Sequence, residues 1–454
     1  MNDEASDSKR PLTTLSLSCL VVANMIGVGL FTTSGYTLGS LGSPNLVITM
    51  WAVAGLIAIL GAICYGGLAK QVTESGGEYL FLYHGVHPLA GFMAGWISLV
   101  AGFCGAIGLS ALAFASHLPG KLGEQSNAWA VGLIVVFTLV NLLGLRPAAR
   151  FQNLLVIAKL AALVAFGLYG LAWLLFLNRG PELDVAPEAV EKAGEAAWNW
   201  GGIASSLMWI SFSYAGYNAA VYIAGAARQC QASVPKAMVL GTAGVTLLYV
   251  LLNAIFVWAA PRGAIENQQE VALIAARFIS GDWLSESLRV VILVSLATSV
   301  LAMVQTGPHV YAKMARDGLL PQILDSRNAT PRVGIVLQAV IAIALIFNSE
   351  FLELLNYLAF LLSISSAATI SCLLLPAYRG EPGRRPVPLW PWIPILFIAA
   401  TLLIAYFALQ YRYSNDPEGL AEVLGVLPLG VAVYFVMRFR KRRRPRDSSG
   451  PAAI

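Results

Sequence analysis

Three places in this 454-residue chain combine residue types that do chemistry inside an apolar background. The first is Met25-Ile26-Gly27-Val28-Gly29-Leu30-Phe31, where two glycines fall near the middle of an apolar run over 15–39. Glycine costs a helix about 1 kcal/mol relative to alanine. In lipid, every backbone group so released needs a partner. If the helix unwinds at Gly27–Gly29, its second half restarts near Leu30. The free N–H groups at that new end, with the helix dipole, then attract a carboxylate. The first half ends near Met25 and Ile26 with free carbonyls, which accept from an ammonium. One break thus matches both ends of an α-amino acid zwitterion. The same glycines also suit close helix packing, and the residues alone leave both readings open.

The second place is Trp209-Ile210-Ser211-Phe212-Ser213-Tyr214-Ala215-Gly216-Tyr217-Asn218. Ser, Gly and Asn clustered mid-span mark a second break, whose carbonyls at Phe212, Ser213 and Ala215 would also hold an ammonium. Phe212 is either a lid over the solute or an ordinary core residue. Two interrupted spans at matching places in two halves point to a transporter site. The third is Lys159, roughly 10 Å into an apolar segment at 1.5 Å per residue. An intramembrane charge is a functional candidate by default. Out of water an ammonium releases its proton more readily, so Lys159 could carry a coupled proton; snorkelling to the surface is the alternative.

These groups need membrane-spanning helices to hold them. Hydrophobic residues make up 57% of the chain and charged residues 12%, with a mean hydropathy of +0.71. That excludes a soluble protein. Twelve spans are expected, at 15–39, 45–68, 90–117, 127–144, 152–177, 199–223, 237–260, 286–310, 332–348, 354–376, 391–411 and 420–437. The first fourteen residues are polar, and no cleavable signal peptide is evident. Of the 29 Lys and Arg, seven fall outside if the N-terminus is inside: Lys121, Arg179, Lys192, Arg262, Arg277, Arg289 and Arg412. Nearly all the rest fall inside, which puts both termini in the cytoplasm. The basic tail Arg438–Arg446 reads as an anchor beside anionic lipid, so the net charge of +5 does not imply nucleic acid. The outer polar segments 178–198 and 261–285 are too short for separate domains. Cys19, Cys64, Cys104, Cys230 and Cys372 fall in spans or inside, so no disulfide is expected.

Other classes fit less well. His84, His87, His117 and His309 are scattered without metal-ligand spacing, and no nucleophile motif is present. An enzyme, a metal site and a cofactor are therefore not expected. No charged ring or filter-like loop suggests a channel. A transporter-derived sensor has no added signalling domain to support it.

The chain resembles the amino acid–polyamine–organocation (APC) superfamily, above all bacterial amino acid permeases and L-type amino acid transporters. The resemblance rests on the Gly27–Phe31 stretch, Glu74-Ser75-Gly76-Gly77-Glu78-Tyr79, Phe151-Gln152-Asn153 through Ala158-Lys159-Leu160, and Phe212 to Asn218. It continues in Val234-Pro235-Lys236-Ala237 with Gly241-Thr242, and in Tyr311-Ala312-Lys313-Met314-Ala315-Arg316-Asp317-Gly318-Leu319-Leu320-Pro321. It implies an all-α leucine-transporter-like fold. A cytoplasmic tail (1–14) would precede two inverted five-helix repeats (15–177 and 199–376), two peripheral helices (391–437) and a basic tail (438–454). It also implies that the carboxylate meets the backbone of Val28, Gly29 and Leu30, with Gly27 and Asn218 also in the substrate site. The amino group would meet carbonyls of Met25, Phe212, Ser213 and Ala215. Phe212 would be the gate, and Lys159 would stand in for a sodium ion.

Three departures matter. Val28 stands where many relatives have serine. Ala224-Gly225-Ala226 lacks an acid found there in many relatives. Residues 118–126 lack the cysteine that links animal relatives to a heavy chain, so no disulfide-linked partner is expected. Asn218, Tyr214 and Tyr217 flank the second break, and Ala101, Gly102, Cys104, Gly105 and Ala106 give a small-residue face on span 3. No buried carboxylate or arginine is expected in the pocket, so a neutral amino acid is the expected substrate. The expected function is proton-coupled uptake across the cell (inner) membrane, with sodium-independent exchange as the alternative.

Overall fold

A computed structural model describes residues 12–120, 126–144, 148–177, 199–325, 330–378, 385–415 and 417–443, without side chains at 148–153, 177, 415, 417–424 and 440–443. The segment 178–198 (expected on the outer side), most of the N-terminal tail, the tail beyond Arg443 and the side chains of Phe151-Gln152-Asn153 lie outside that description. Every regular element among the described residues is a helix, apart from an isolated bridge between Leu12 and Ala227.

The first expected span is two helices, α1 (Thr14–Met25) and α2 (Val28–Leu41), bent by 43°. Thr13 caps α1, its hydroxyl accepting from the Ser16 N–H. Gly27 takes extended backbone and no side chain caps the first turn of α2. The second half therefore restarts at Val28, rather than at the expected Leu30. Long apolar helices follow: α3 (Pro44–Gln71), the short α4 (Glu78–Gly85), and α5 (Pro88–Ser116). Proline at the first position and a Ser43 or His87 cap start α3 and α5. A π-helical stretch at Ser98–Gly105 widens α5 where small residues cluster. Then come α6 (Ser126–Leu142) and α7 (Ala148–Ala172), which ends in a π turn.

The second broken element is α8 (Trp200–Ser213). It gives way to a turn and then a 3₁₀ stretch over Ala219–Ala226. Beyond it lie α9 (Cys230–Trp258), α10 (Arg262–Ile265), α11 (Val271–Ser280), α12 (Asp282–Arg316), α13 (Arg332–Asn348), α14 (Phe351–Ser371), α15 (Trp392–Asn415) and α16 (Pro417–Arg443). A capping box between Glu350 and Glu353 starts α14.

Helical structure underlies all twelve expected ranges. Among the described residues, seven helices are long and apolar enough to cross a membrane, or eight if the bent α1–α2 pair counts as one span. The α6 and α13 helices have 17 residues each, just under the usual spanning length. None of the five cysteines is paired.

Candidate functional site

The two breaks meet each other. A Cβ at Gly29 would lie 2.1 Å from Ser213 Oγ and 2.7 Å from its Cα. Gly216 has φ +104°, and a Cβ there would lie 2.9 Å from the Asn24 carbonyl oxygen. Glycine is thus needed at 29 for close approach and at 216 for backbone conformation as well. Thr33 Oγ1 and Ser213 Oγ, 3.1 Å apart, join the breaks from the side.

The carbonyls released from α1 find partners. Lys159, 3% exposed, donates through Nζ to the Ile26 carbonyl at 3.2 Å. Ser299 Oγ of α12 approaches the same oxygen at 3.4 Å. Tyr249 Oη of α9 donates to the Met25 carbonyl. An unpaired buried carbonyl would cost about 1–3 kcal/mol, so Lys159 and Tyr249 hold the unwound segment open at low cost. Lys159 is buried and turned onto α1, not snorkelling. On the other side of the break, Ser34 Oγ donates to Asn253 and accepts from Trp51 Nε1 at 2.9 Å. Tyr214 Oη donates to the Trp51 carbonyl at 3.0 Å, and the rings of Trp51, Tyr214 and Tyr249 pack within 6 Å of one another.

A cavity of about 230 Å³ lies between the breaks. It brings together Met25, Gly27, Val28, Gly29, Phe212, Ser213, Ala215 and Asn218, eight of the residues expected from sequence. Leu30 is fully buried and Lys159 sits behind the break; neither is among the lining residues. Phe212 lines the cavity and is 8% exposed. Two of the expected ammonium acceptors already accept bonds. The Phe212 carbonyl takes the Ala215 N–H at 2.9 Å, and that of Met25 takes Tyr249. Each carbonyl oxygen keeps a second lone pair.

One expectation is corrected. The pocket was expected to hold no buried carboxylate, yet Glu78 lines it and is 3% exposed. Its polar surroundings in sequence, Glu74-Ser75-Gly76-Gly77, read as a surface loop; the fold turns the residue inward at the start of α4. Burial pushes its carboxyl above the ordinary glutamate range, while bonds from Ser365, Tyr65 and Asn218 pull the other way. Tyr249 and Ser299 were also missed, because a tyrosine or serine inside a long apolar helix carries no periodic signal. Among the described lining residues there is no lysine or arginine. No group of three or more His, Cys, Asp or Glu among the described residues could hold a metal ion.

Comparison with known proteins agrees with this geometry. The family profile described as "Amino acid permease" matches residues 12–425. The human "Large neutral amino acids transporter small subunit 2" is 25% identical over 443 residues, covering 94% of this chain and 80% of the relative. The rat "b(0,+)-type amino acid transporter 1" is 27% identical over 457 residues, covering 96% and 90%. The human "Asc-type amino acid transporter 1" is 24% identical over 447 residues, covering 94% and 82%. With the profile spanning most of a chain of apolar helices broken at two touching points, this multi-pass membrane protein belongs to the amino acid permease family of the APC superfamily.

Proposed function

We propose that this chain carries neutral L-amino acids across the cell membrane by alternating access around the two breaks, coupled to protons. The observation that carries the reading is the uncapped start of α2 facing the cavity, within reach of the carbonyls that end α1 and α8. The N–H groups of Val28 and Gly29, with Leu30 behind them, take the carboxylate; the carbonyls of Met25, Phe212, Ser213 and Ala215 take the ammonium. Phe212 covers the solute. A cavity of about 230 Å³ lies below the roughly 300–1,000 Å³ of drug-sized pockets, which suits a small solute. The absence of lysine and arginine among the described lining residues argues against an anionic substrate, and Glu78 already accepts three protein hydrogen bonds. In this reading the chain forms two inverted five-helix repeats, 15–177 and 199–376, within twelve spans, with both termini cytoplasmic. It works without a disulfide-linked heavy chain, since 118–126 contains no cysteine.

Lys159 is the proposed coupling residue: protonated, it holds Ile26 and the inner end of the first span in register with α7. A second reading rests on the same bond. An ammonium fixed on the Ile26 carbonyl also serves as a permanent cation substitute in a sodium-independent exchanger. Proteoliposome uptake of a labelled amino acid panel separates the two. Symport is expected to give uptake into empty vesicles under an inward proton gradient, reduced at least about tenfold in Lys159→Ala. Uptake only against internal amino acid selects the exchanger. Preferred uptake of cationic amino acids would overturn the neutral assignment, and no uptake of any amino acid would overturn the function.

A further inference from the structure

Glu78 is a cavity-lining ionisable group that the zwitterion site does not use. Its Oε1 accepts from Tyr65 Oη and from Asn218 Nδ2 at 2.9 Å, and its Oε2 accepts from Ser365 Oγ at 2.6 Å. The donors come from α3, from the turn after α8 and from α14. All three are neutral. The titratable side chains facing the carboxyl are Tyr65, Tyr217 and Tyr222. The charged residues nearby in sequence and space, Glu74, Lys313, Arg316 and Asp317, gather around Tyr79 instead. Three donors and, among the described residues, no cation make an arrangement that holds an anion but leaves it uncompensated, in contact with the solute cavity.

We propose that Glu78 is a proton-binding site of the cavity, and that its protonation state sets how firmly the second break is tied to α3 and α14. A proton arriving from the cavity adds to a lone pair of Oε2. The new Oε2–H donates to Ser365 Oγ, whose hydroxyl rotates from donating to accepting. The bonds from Tyr65 and Asn218 to Oε1 persist but lose their charge assistance, which makes them roughly half as strong. The Asn218 Nδ2 group cannot become an acceptor, so the weakened contact is the one that anchors the broken element. Release of the proton tightens it again. Burial, which disfavours the anion, moves the exchange towards neutral pH.

The coupling role rests on the transport reading above; proton binding itself does not, so two measurements keep the failures apart. The first is infrared difference spectroscopy of the purified full chain in lipid between about pH 5 and about pH 8, above the ordinary glutamate value. A carboxylic C=O band that titrates in the wild type and vanishes in Glu78→Gln is expected. An identical difference spectrum in the two overturns the proton site. Ser365→Ala removes a charge-assisted bond from the anion and a weaker neutral bond from the acid, so the band midpoint is expected to rise by several tenths of a pH unit, at most about one. Should Glu78→Gln not fold, an unmoved midpoint in Ser365→Ala overturns the proposal. The second measurement is counterflow of the best substrate across the same pH range. Wild-type rates are expected to change through the infrared midpoint and Glu78→Gln rates to lose that step, keeping only the change that Lys159 carries; a shared pH profile overturns the coupling role. If the wild type moves no amino acid, the transport reading fails and the infrared result still decides the proton site.

Discussion

Gly27 and Gly29 are two residues apart, yet a methyl group would meet different neighbours at each. At Gly27 the nearest atom is Ser299 Oγ at 3.8 Å; at Gly29 it is Ser213, whose backbone cannot swing away as a side-chain tip can. Gly27→Ala is therefore expected to keep substrate affinity within about threefold, while Gly29→Ala loses at least about tenfold, or 1.4 kcal/mol. Equilibrium binding to the purified protein checks this, and equal effects would show that the breaks do not have to touch. Glu78 makes a second prediction at this scale. A carboxyl whose folded value is raised binds more protons folded than unfolded between the ordinary and the raised value. Stability therefore falls as pH rises through that window, by at most about 1.4 kcal/mol per pH unit for one proton. Glu78→Gln should remove that slope from thermal melts; a slope of the same size in the variant would place its origin elsewhere.

The segment between α3 and α4 and the first turn of α4 tie several elements together on the side of the molecule that carries the N-terminus. Ser75 Oγ accepts from the Gly225 N–H at 3.1 Å, and Tyr79 Oη donates to Asp317 Oδ2 at 2.7 Å. Lys313 bonds Asp317 at 3.0 Å and lies 3.4 Å from Glu74, whose side chain is 63% exposed. Exposed ion pairs contribute about 0–1 kcal/mol, so the half-buried tyrosine bond should dominate. Tyr79→Phe is expected to speed amide hydrogen exchange over 72–85 several-fold without changing α9, whereas Glu74→Gln should leave it unchanged. The reverse order would make the ion pair the fastening. These elements were unevenly legible in the sequence. The first break was legible as one of two readings of paired glycines in an apolar run, close packing being the other, and the second because Ser, Gly and Asn interrupt a span. The inward turn of Glu78 was not, since Glu74–Tyr79 has the composition of a surface loop and only tertiary packing buries its last acid. Nor was Tyr249, whose role depends on a carbonyl that α1 releases more than 200 positions away in the chain.

At the scale of the whole molecule, everything proposed for direction and coupling depends on which side the N-terminus faces. The contacts fix relative sidedness: Leu12 pairs with Ala227 and Arg228, Gly225 with Ser75, and Glu74 with Lys313, so these groups share one face. In the proposed function that face is cytoplasmic, as the bias of Lys and Arg is expected to place it. Two exposed positions test the assignment, Gln71 at the end of α3 and Gln268 in the segment between α10 and α11. Cys19 is exposed and must first be replaced, while the other four cysteines are buried. In a Cys19→Ser background, Gln268→Cys is expected to react with a membrane-impermeant maleimide in intact cells. Gln71→Cys should react only after permeabilisation. The opposite pattern would invert the molecule and reverse the direction in which Lys159 and Glu78 meet the proton gradient, leaving the site chemistry intact. Labelling of both positions in intact cells would contradict the span count between them, and with it the proposed inverted-repeat arrangement.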